Sequence, residues 1–308
     1  MNASVGIIGV GWVGGSVAIS ALHAGVAGEL LLADLRHDVA EGEAMDLAHG
    51  ASFYPAAQVR AVRVEEMLDT DAVVVAAGRG GKPGESRLEL LRDNAQTARE
   101  LGARLRGYRG LVVVVTNPVD VLTYVVAKSS GLPAERVIGT GTMLDTARLR
   151  QVLGAELELD PRSVHAHVVG EHGDSEVVLW SNAQVGGTPL RAWPGWGAER
   201  ERGVAERVRT AAYEIIKRKG ATNHAIGLVT AALLRWTLRG ERRVLTVSRT
   251  HDDGVLGLRD VALSLPTIVG TEGATQVVIP EMDDVERAAL ERSAAVLRNA
   301  LASLGSHG

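Results

Sequence analysis

The chain has no cysteine among its 308 residues. Disulfides, thiolate metal sites and thiol nucleophiles are therefore excluded. Aromatic residues are scarce, at 3% of the chain with a single Phe, so a core has to be assembled from Val, Leu and Ala. There is no basic excess. The formal net charge of −4 offers no cationic footprint for nucleic acid and no polybasic face for a membrane. No early apolar stretch carries signal-peptide flanks, and none reaches the roughly 18 uninterrupted apolar residues of a membrane span. The cytoplasm is the expected compartment. What remains is the balance of a soluble globular protein, 46% hydrophobic and 23% charged, long enough for two domains. Its 36 glycines imply many tight turns.

Several of those glycines fall in a pattern. Val5–Val10 is a short apolar strand candidate, and Gly9-Val10-Gly11-Trp12-Val13-Gly14 opens a helical stretch reaching about Gly25. A second apolar strand, Glu29–Ala33, is closed by Asp34. A lone GxGxxG is a weak signal. Here it follows a strand, opens a helix and has a carboxylate 20 residues after its last glycine, which completes the dinucleotide fingerprint. Gly9, Gly11 and Gly14 permit the tight turn and close backbone approach, and the helix N-terminus faces a pyrophosphate. Asp34 would accept hydrogen bonds from the adenosine ribose and repel a 2′-phosphate, which favours NAD over NADP; Arg36 nearby tempers that preference.

The alternation continues with a helix near 38–49, a strand at 71–77, a helix near 86–107 and a strand at 111–116 ending in Asn117-Pro118. Such alternation predicts a doubly wound parallel sheet of Rossmann type with ligands at the strand carboxyl ends. Two unusual segments sit there, the Thr116-Asn117-Pro118 turn and the loop from Gly78 to Arg87. The loop holds four glycines, a proline and three cations. Its composition suits a solvated loop as well as a lid that delivers a cation over a bound anion.

Asp145 and Arg148 are three residues apart and share a helical face. An ion pair on a helix surface would explain the spacing equally well, but four apolar or small residues precede Asp145, and a buried carboxylate requires a partner. His172 sits in Gly170-Glu171-His172-Gly173-Asp174-Ser175, after the apolar run 164–169. An imidazole with an ordinary pKa of about 6.5 is suited to proton transfer, although alone it reads as a turn histidine. The second half predicts strands at 164–169, 176–184, 243–248, 261–269 and around 276–279. Helices are expected near 199–219, 222–239 and 282–304. This is an α+β pattern with antiparallel strands, and the expected division is 1–142 for dinucleotide binding and 143–308 for substrate. Trp193–Gly197 reads as a surface loop.

Taken in order, GVGWVG, Asp34, KPGESR, TNPVD, GTMLDTARLR, GEHGDS and KGATNHAIG resemble the motif series of the L-lactate and malate dehydrogenase family, most closely its bacterial L-lactate members. The resemblance runs from Val5 to the terminal helix. It implies an NAD-dependent L-2-hydroxy acid dehydrogenase with His172 as acid/base, Asp145 orienting it, Arg148 gripping the substrate carboxylate and Arg87 polarising the carbonyl. Asn117 and Thr222 would line the reaction centre, and Ile226 would back the nicotinamide. The expected reaction interconverts pyruvate and L-lactate. A malate or broader 2-hydroxy acid preference stays open, because the usual discriminating position, just before Lys-Pro-Gly, is Gly81 rather than Gln or Arg. Glu85 and Thr222 fit the lactate pattern, whereas Arg79 or Lys82 reaching into the site would favour a dicarboxylate. Asn223-His224 replaces a pair that is aromatic in many bacterial members.

Many bacterial relatives also bind fructose 1,6-bisphosphate at a two-fold interface, and the matching residues here are Arg150 and His165. A core or interface histidine beside a surface arginine is the plainer explanation. The resemblance further implies a homotetramer, with a dimer as alternative, and no resident metal. NAD-dependent glycosidases share a similar fold but typically use a cysteine metal ligand, which this chain lacks. A non-catalytic NAD-binding protein would not need Asp145, Arg148, His172 and Arg87 together.

Overall fold

The computed structural model describes residues 3–81 and 85–305. The first half runs β1 (Ser4–Ile8), α1 (Trp12–His23), β2 (Glu29–Ala33), α2 (His37–His49), β3 (Gln58–Ala61), β4 (Ala72–Val75), α3 (Arg87–Arg104), β5 (Leu111–Val114), α4 (Val119–Ser130) and β6 (Val137–Gly139). These strands are parallel in the order 6-5-4-1-2-3. The order reverses between β1 and β4, so their carboxyl ends form the crevice in which such sheets bind ligands. β4 and β5 read Ala-Val-Val-Val and Leu-Val-Val-Val and are buried throughout, as strands covered by helices on both faces must be. Val, Leu and Ala fill both helix–sheet interfaces, as the shortage of aromatics requires.

The second half continues with α5 (Met143–Leu157), β7 (Val164–His165), β8 (Val168–Val169), β9 (Val177–Val178), β10 (Gln184–Val185) and β11 (Thr188–Pro189). It then runs α6 (Ala198–Lys219), α7 (His224–Leu238), β12 (Arg243–His251), β13 (Val261–Gly270), β14 (Gly273–Val277) and α8 (Asp284–Gly305). Antiparallel strands are present as expected, and the long ones extend the parallel sheet. β12 pairs antiparallel with β6 through Ser248–Gly139 and Arg249–Ile138, and β13 and β14 follow outward. Gly139 makes this join possible, because a Cβ there would lie 2.4 Å from the Thr123 hydroxyl and 3.2 Å from Ser248 Cβ.

The runs 164–169 and 176–184 are each broken in two. β7 pairs with β10 and β8 with β9, so the ladder splits in mid-run. The cause lies in α5: the Thr146 hydroxyl accepts from Val168 N at 3.0 Å and Thr142 donates to Val168 O at 2.6 Å. Side chains there take up backbone groups that a longer strand would have paired. The Trp193–Gly197 segment is a surface loop only in part, since Trp193 and Trp196 pack inward beside Trp180.

Candidate active site

The glycine loop after β1 has the backbone geometry that its residue types predict. Gly9 has φ +91°, and a Cβ there would lie 2.5 Å from the backbone of Ala77. A Cβ on Gly14 would sit 1.9 Å from Gly9 O. Gly11 caps α1 without a side-chain hydrogen bond, and a Cβ there would meet nothing within 4 Å. The first turn of α1 therefore presents its N–H groups to open space, the arrangement that receives a pyrophosphate. Asp34 closes β2 and accepts from Val10 N at 3.0 Å and Arg36 N at 3.1 Å, which fixes its carboxylate beside the loop. Gly14→Ala is expected to weaken NADH binding at least about 30-fold, or about 2 kcal/mol, in a fluorescence titration. An unchanged dissociation constant would remove this loop from the cofactor site.

The segment leading into α7 carries Thr222, and the first turn of α7 carries Ile226. Gly227 allows α7 to lie on α1, since a Cβ there would be 2.5 Å from Ser16 O, and Asn223 Nδ2 donates to the Ser16 hydroxyl at 2.9 Å. Ile226 is half-buried against the α1 side of the core. Across the crevice, buried Asn94 on α3 ties two segments together. Its Oδ1 accepts from Arg79 N at 3.0 Å, and its Nδ2 donates to Arg79 O at 3.2 Å and Asn117 O at 3.3 Å. The base of the Gly78 loop and the exposed Asn117 turn are thereby held side by side. Lys82, Pro83 and Gly84 lie outside the described residues, as does the Arg87 side chain, although the Arg87 backbone opens α3. A Cβ on Gly81 would meet Leu90 at 3.5 Å and Glu85 Oε2 at 4.0 Å, both ordinary contacts.

The candidate proton-transfer residues converge from distant parts of the chain. Asp145 lies in the first turn of α5 and its side chain is only 2% exposed. Its Oδ1 accepts from Arg148 Nη1 at 2.6 Å, and its Oδ2 is 2.5 Å from His172 Nδ1. The turn carrying His172 is held by its backbone. Glu171 N donates to the Ser293 hydroxyl at 2.8 Å, His172 N to Asp120 Oδ2 at 2.7 Å, and Ser175 N to Glu171 Oε2 at 3.2 Å. With Nδ1 given to Asp145, Nε2 is the nitrogen left to face a reacting group.

The electrostatics suit that use. Burial alone would lower the pKa of His172, but the Asp145 charge and hydrogen bond outweigh it and raise it to about 9. Burial would raise Asp145, and His172 with Arg148 hold it below its ordinary value instead. Asp120, fully enclosed beneath the turn, is pushed up to about 6 by burial. Glu176, buried near the same pair, is pushed up to about 8 by burial and by the Asp145 charge. Asp120, Glu176, Asn94 and Ser293 were not singled out from the sequence; for Asp120 the available signal was a carboxylate at the start of an otherwise apolar helix.

Arg150, two residues past Arg148, is half-buried, and its Nε donates to Ala166 O at 3.2 Å. This places it against β7, whose exposed His165 precedes that carbonyl. Among the described residues no group of acidic or imidazole side chains could hold a metal ion, and no helix is long and apolar enough to cross a membrane.

Residues 3–139 match the lactate/malate dehydrogenase, NAD binding domain, and residues 142–306 match the lactate/malate dehydrogenase, alpha/beta C-terminal domain. The chain belongs to the lactate/malate dehydrogenase family. Within that family it is 46% identical to an L-lactate dehydrogenase of Salinibacter ruber, covering 98% of this chain and 97% of the relative. It is 43% identical to one of Kosmotoga olearia, covering 97% and 96%. Among solved structures it superposes on the minor L-lactate dehydrogenase of Enterococcus mundtii with a TM-score of 0.95 at 39% identity, covering 98% of both chains. The cofactor of this dehydrogenase fold is NAD, and the backbone cradle around Gly9, Gly11 and Gly14 with Asp34 beside it fits that group.

Proposed function

We propose that the chain is an L-lactate dehydrogenase that interconverts pyruvate and L-lactate. The observation that carries this reading is the buried Asp145 shared between His172 and Arg148. Gly9, Gly11, Gly14 and Asp34 would hold the dinucleotide, with Ile226 and Asn117 at its nicotinamide end. Bound NADH supplies a hydride to the carbonyl carbon. His172, protonated at neutral pH, gives its Nε2 proton to the carbonyl oxygen, and Asp145 fixes the tautomer and offsets the imidazolium charge. The Arg148 fork grips the substrate carboxylate. Arg87 is the assigned donor to the developing oxyanion, with Thr222 and Gly81 lining the remaining wall. Residues 143–308 act as the substrate half and 1–142 as the cofactor half.

Gly81 supports a second reading, a malate or broader 2-hydroxy acid dehydrogenase, because it leaves space where a discriminating side chain would stand. Comparing kcat/KM for pyruvate, oxaloacetate and a branched 2-oxo acid separates the two. Pyruvate is expected to lead; oxaloacetate ahead by about tenfold would overturn the lactate assignment.

Regulation and assembly complete the reading. Arg150 and His165 form one half of a fructose 1,6-bisphosphate site across a two-fold axis. Activation by that sugar should appear in the wild type and vanish in Arg150→Gln; an unresponsive wild type would dismiss the site. Copies of the chain in a homotetramer would cover the apolar side chains left exposed at Met45, Phe53 and Leu228. The enzyme is placed in the cytoplasm.

A further inference from the structure

Arg79 lies two residues before the open position at Gly81, and its guanidinium is fully engaged. Its Nε donates to Asp93 Oδ2 at 2.9 Å and its Nη2 to the same oxygen at 2.7 Å. Its Nη1 donates to Glu85 Oε2 at 2.7 Å and to Gly80 O at 3.4 Å, and Nη2 also donates to Glu85 Oε1. Every N–H of the guanidinium is thereby occupied. One carboxylate comes from the far side of the loop and the other from the second turn of α3. The backbone beneath is equally fixed, since Asn94 brackets Arg79 from both its N–H and its carbonyl. The Arg79 side chain is 30% exposed and that of Glu85 13%, so the pair is part of the loop's packed face.

The position of this pair matters for substrate choice. Glu85 Oε2 is the polar atom that a side chain at residue 81 would approach, at 4.0 Å from its Cβ, with Leu90 completing the contact. The Arg79–Glu85 pair thus lies against the wall that Gly81 leaves bare. A guanidinium free at this point would be a receptor for the second carboxylate of a dicarboxylic 2-oxo acid. Bound on two sides by protein carboxylates, it has no donor to offer and shows an incoming anion their negative charge.

We propose that Glu85 and Asp93 withhold Arg79 from the substrate, and that this clamp, in place of a side chain at 81, sets the preference for monocarboxylic 2-oxo acids. The inference rests on the 2-oxo acid dehydrogenase reading and makes Arg79 a specificity-determining residue. It is a case of discrimination by a repulsive element as much as by an attractive one.

The test compares kcat/KM for oxaloacetate and pyruvate in wild type, Asp93→Asn, the double variant Glu85→Gln/Asp93→Asn and the triple variant that adds Arg79→Ala. Asp93→Asn leaves the Glu85 contacts in place, so the oxaloacetate-to-pyruvate ratio should move by less than about 3-fold. The double variant frees the guanidinium and should raise the ratio by about tenfold or more, the scale of one good carboxylate contact. Removing Arg79 in the triple variant should return most of that gain. A double variant that keeps pyruvate activity with an unchanged ratio overturns the clamp. A gain that survives in the triple variant also overturns it, since lost negative charge would then be the cause. If the wild type reduces no 2-oxo acid, the proposed function itself fails, which is a distinct outcome.

Discussion

Replacing Asp145 with asparagine is expected to slow pyruvate reduction by about a thousandfold, or about 4 kcal/mol in the barrier. Asp145 acts on three properties of His172 at once: its tautomer, its orientation and the charge it carries. An asparagine preserves the shape but presents a dipole in place of a charge, and an amide turned the wrong way would stabilise the wrong tautomer. The loss has a pH signature. In the wild type the His172 pKa is raised to about 9, so the proton needed for reduction is present throughout the neutral range and is lost as pH rises through that value. Without the Asp145 charge, the burial that opposes the imidazolium acts with less to counter it. The alkaline limb of kcat/KM for reduction should therefore move down toward pH 7. Lactate oxidation needs the neutral imidazole, so its rising limb should move in the same direction. A variant whose reduction limb stays near pH 9 would show that another group sets it.

Arg148→Lys is expected to lower kcat/KM for pyruvate by about 10²- to 10³-fold, or about 3–4 kcal/mol, mainly through KM. The guanidinium spends Nη1 on Asp145 Oδ1, and its remaining donors lie in one plane, matched to the two oxygens of a carboxylate. A lysine ammonium can serve Asp145 or the substrate as a point charge, but it cannot grip both edges. Because the proposed grip on the substrate carboxylate would hold before and during the reaction, its loss should appear as weaker binding more than slower chemistry. A KM close to wild type would take Arg148 away from the substrate carboxylate.

How much of this was legible in the sequence depends on whether the constraint is local. The glycine loop announces itself because Gly9 and Gly14 are required by backbone contacts that no Cβ permits, and the requirement falls on nearby residues. The pairing of His172 with Asp145 spans 27 residues; spacing alone gave only an i,i+3 ion pair and a turn histidine, and the motif series joined them. Asp120 and Ser293 act on the backbone N–H groups of a turn 52 and 122 residues away. Nothing in residue type marks a side chain for such a task. The strand runs at 164–169 and 176–184 were read too long for a related reason, since hydrophobic alternation cannot reveal that threonines from α5 will capture Val168. The sequence leaves Arg79 able to reach into the site because its second carboxylate, Asp93, comes from a helix that lies beyond the loop.

The join between β6 and β12 has a consequence for engineering. The two family-domain matches, 3–139 and 142–306, meet near residue 140, but no cut there leaves two closed bodies. A fragment ending at that point would bare the edge of β6 and the faces of α4 that β12 and β13 cover, an invitation to edge-to-edge aggregation. The cofactor half is therefore not a portable cassette. Grafting it onto another catalytic half means carrying residues 243–277 with it, because the third of the sheet that completes its edge is encoded a hundred residues downstream.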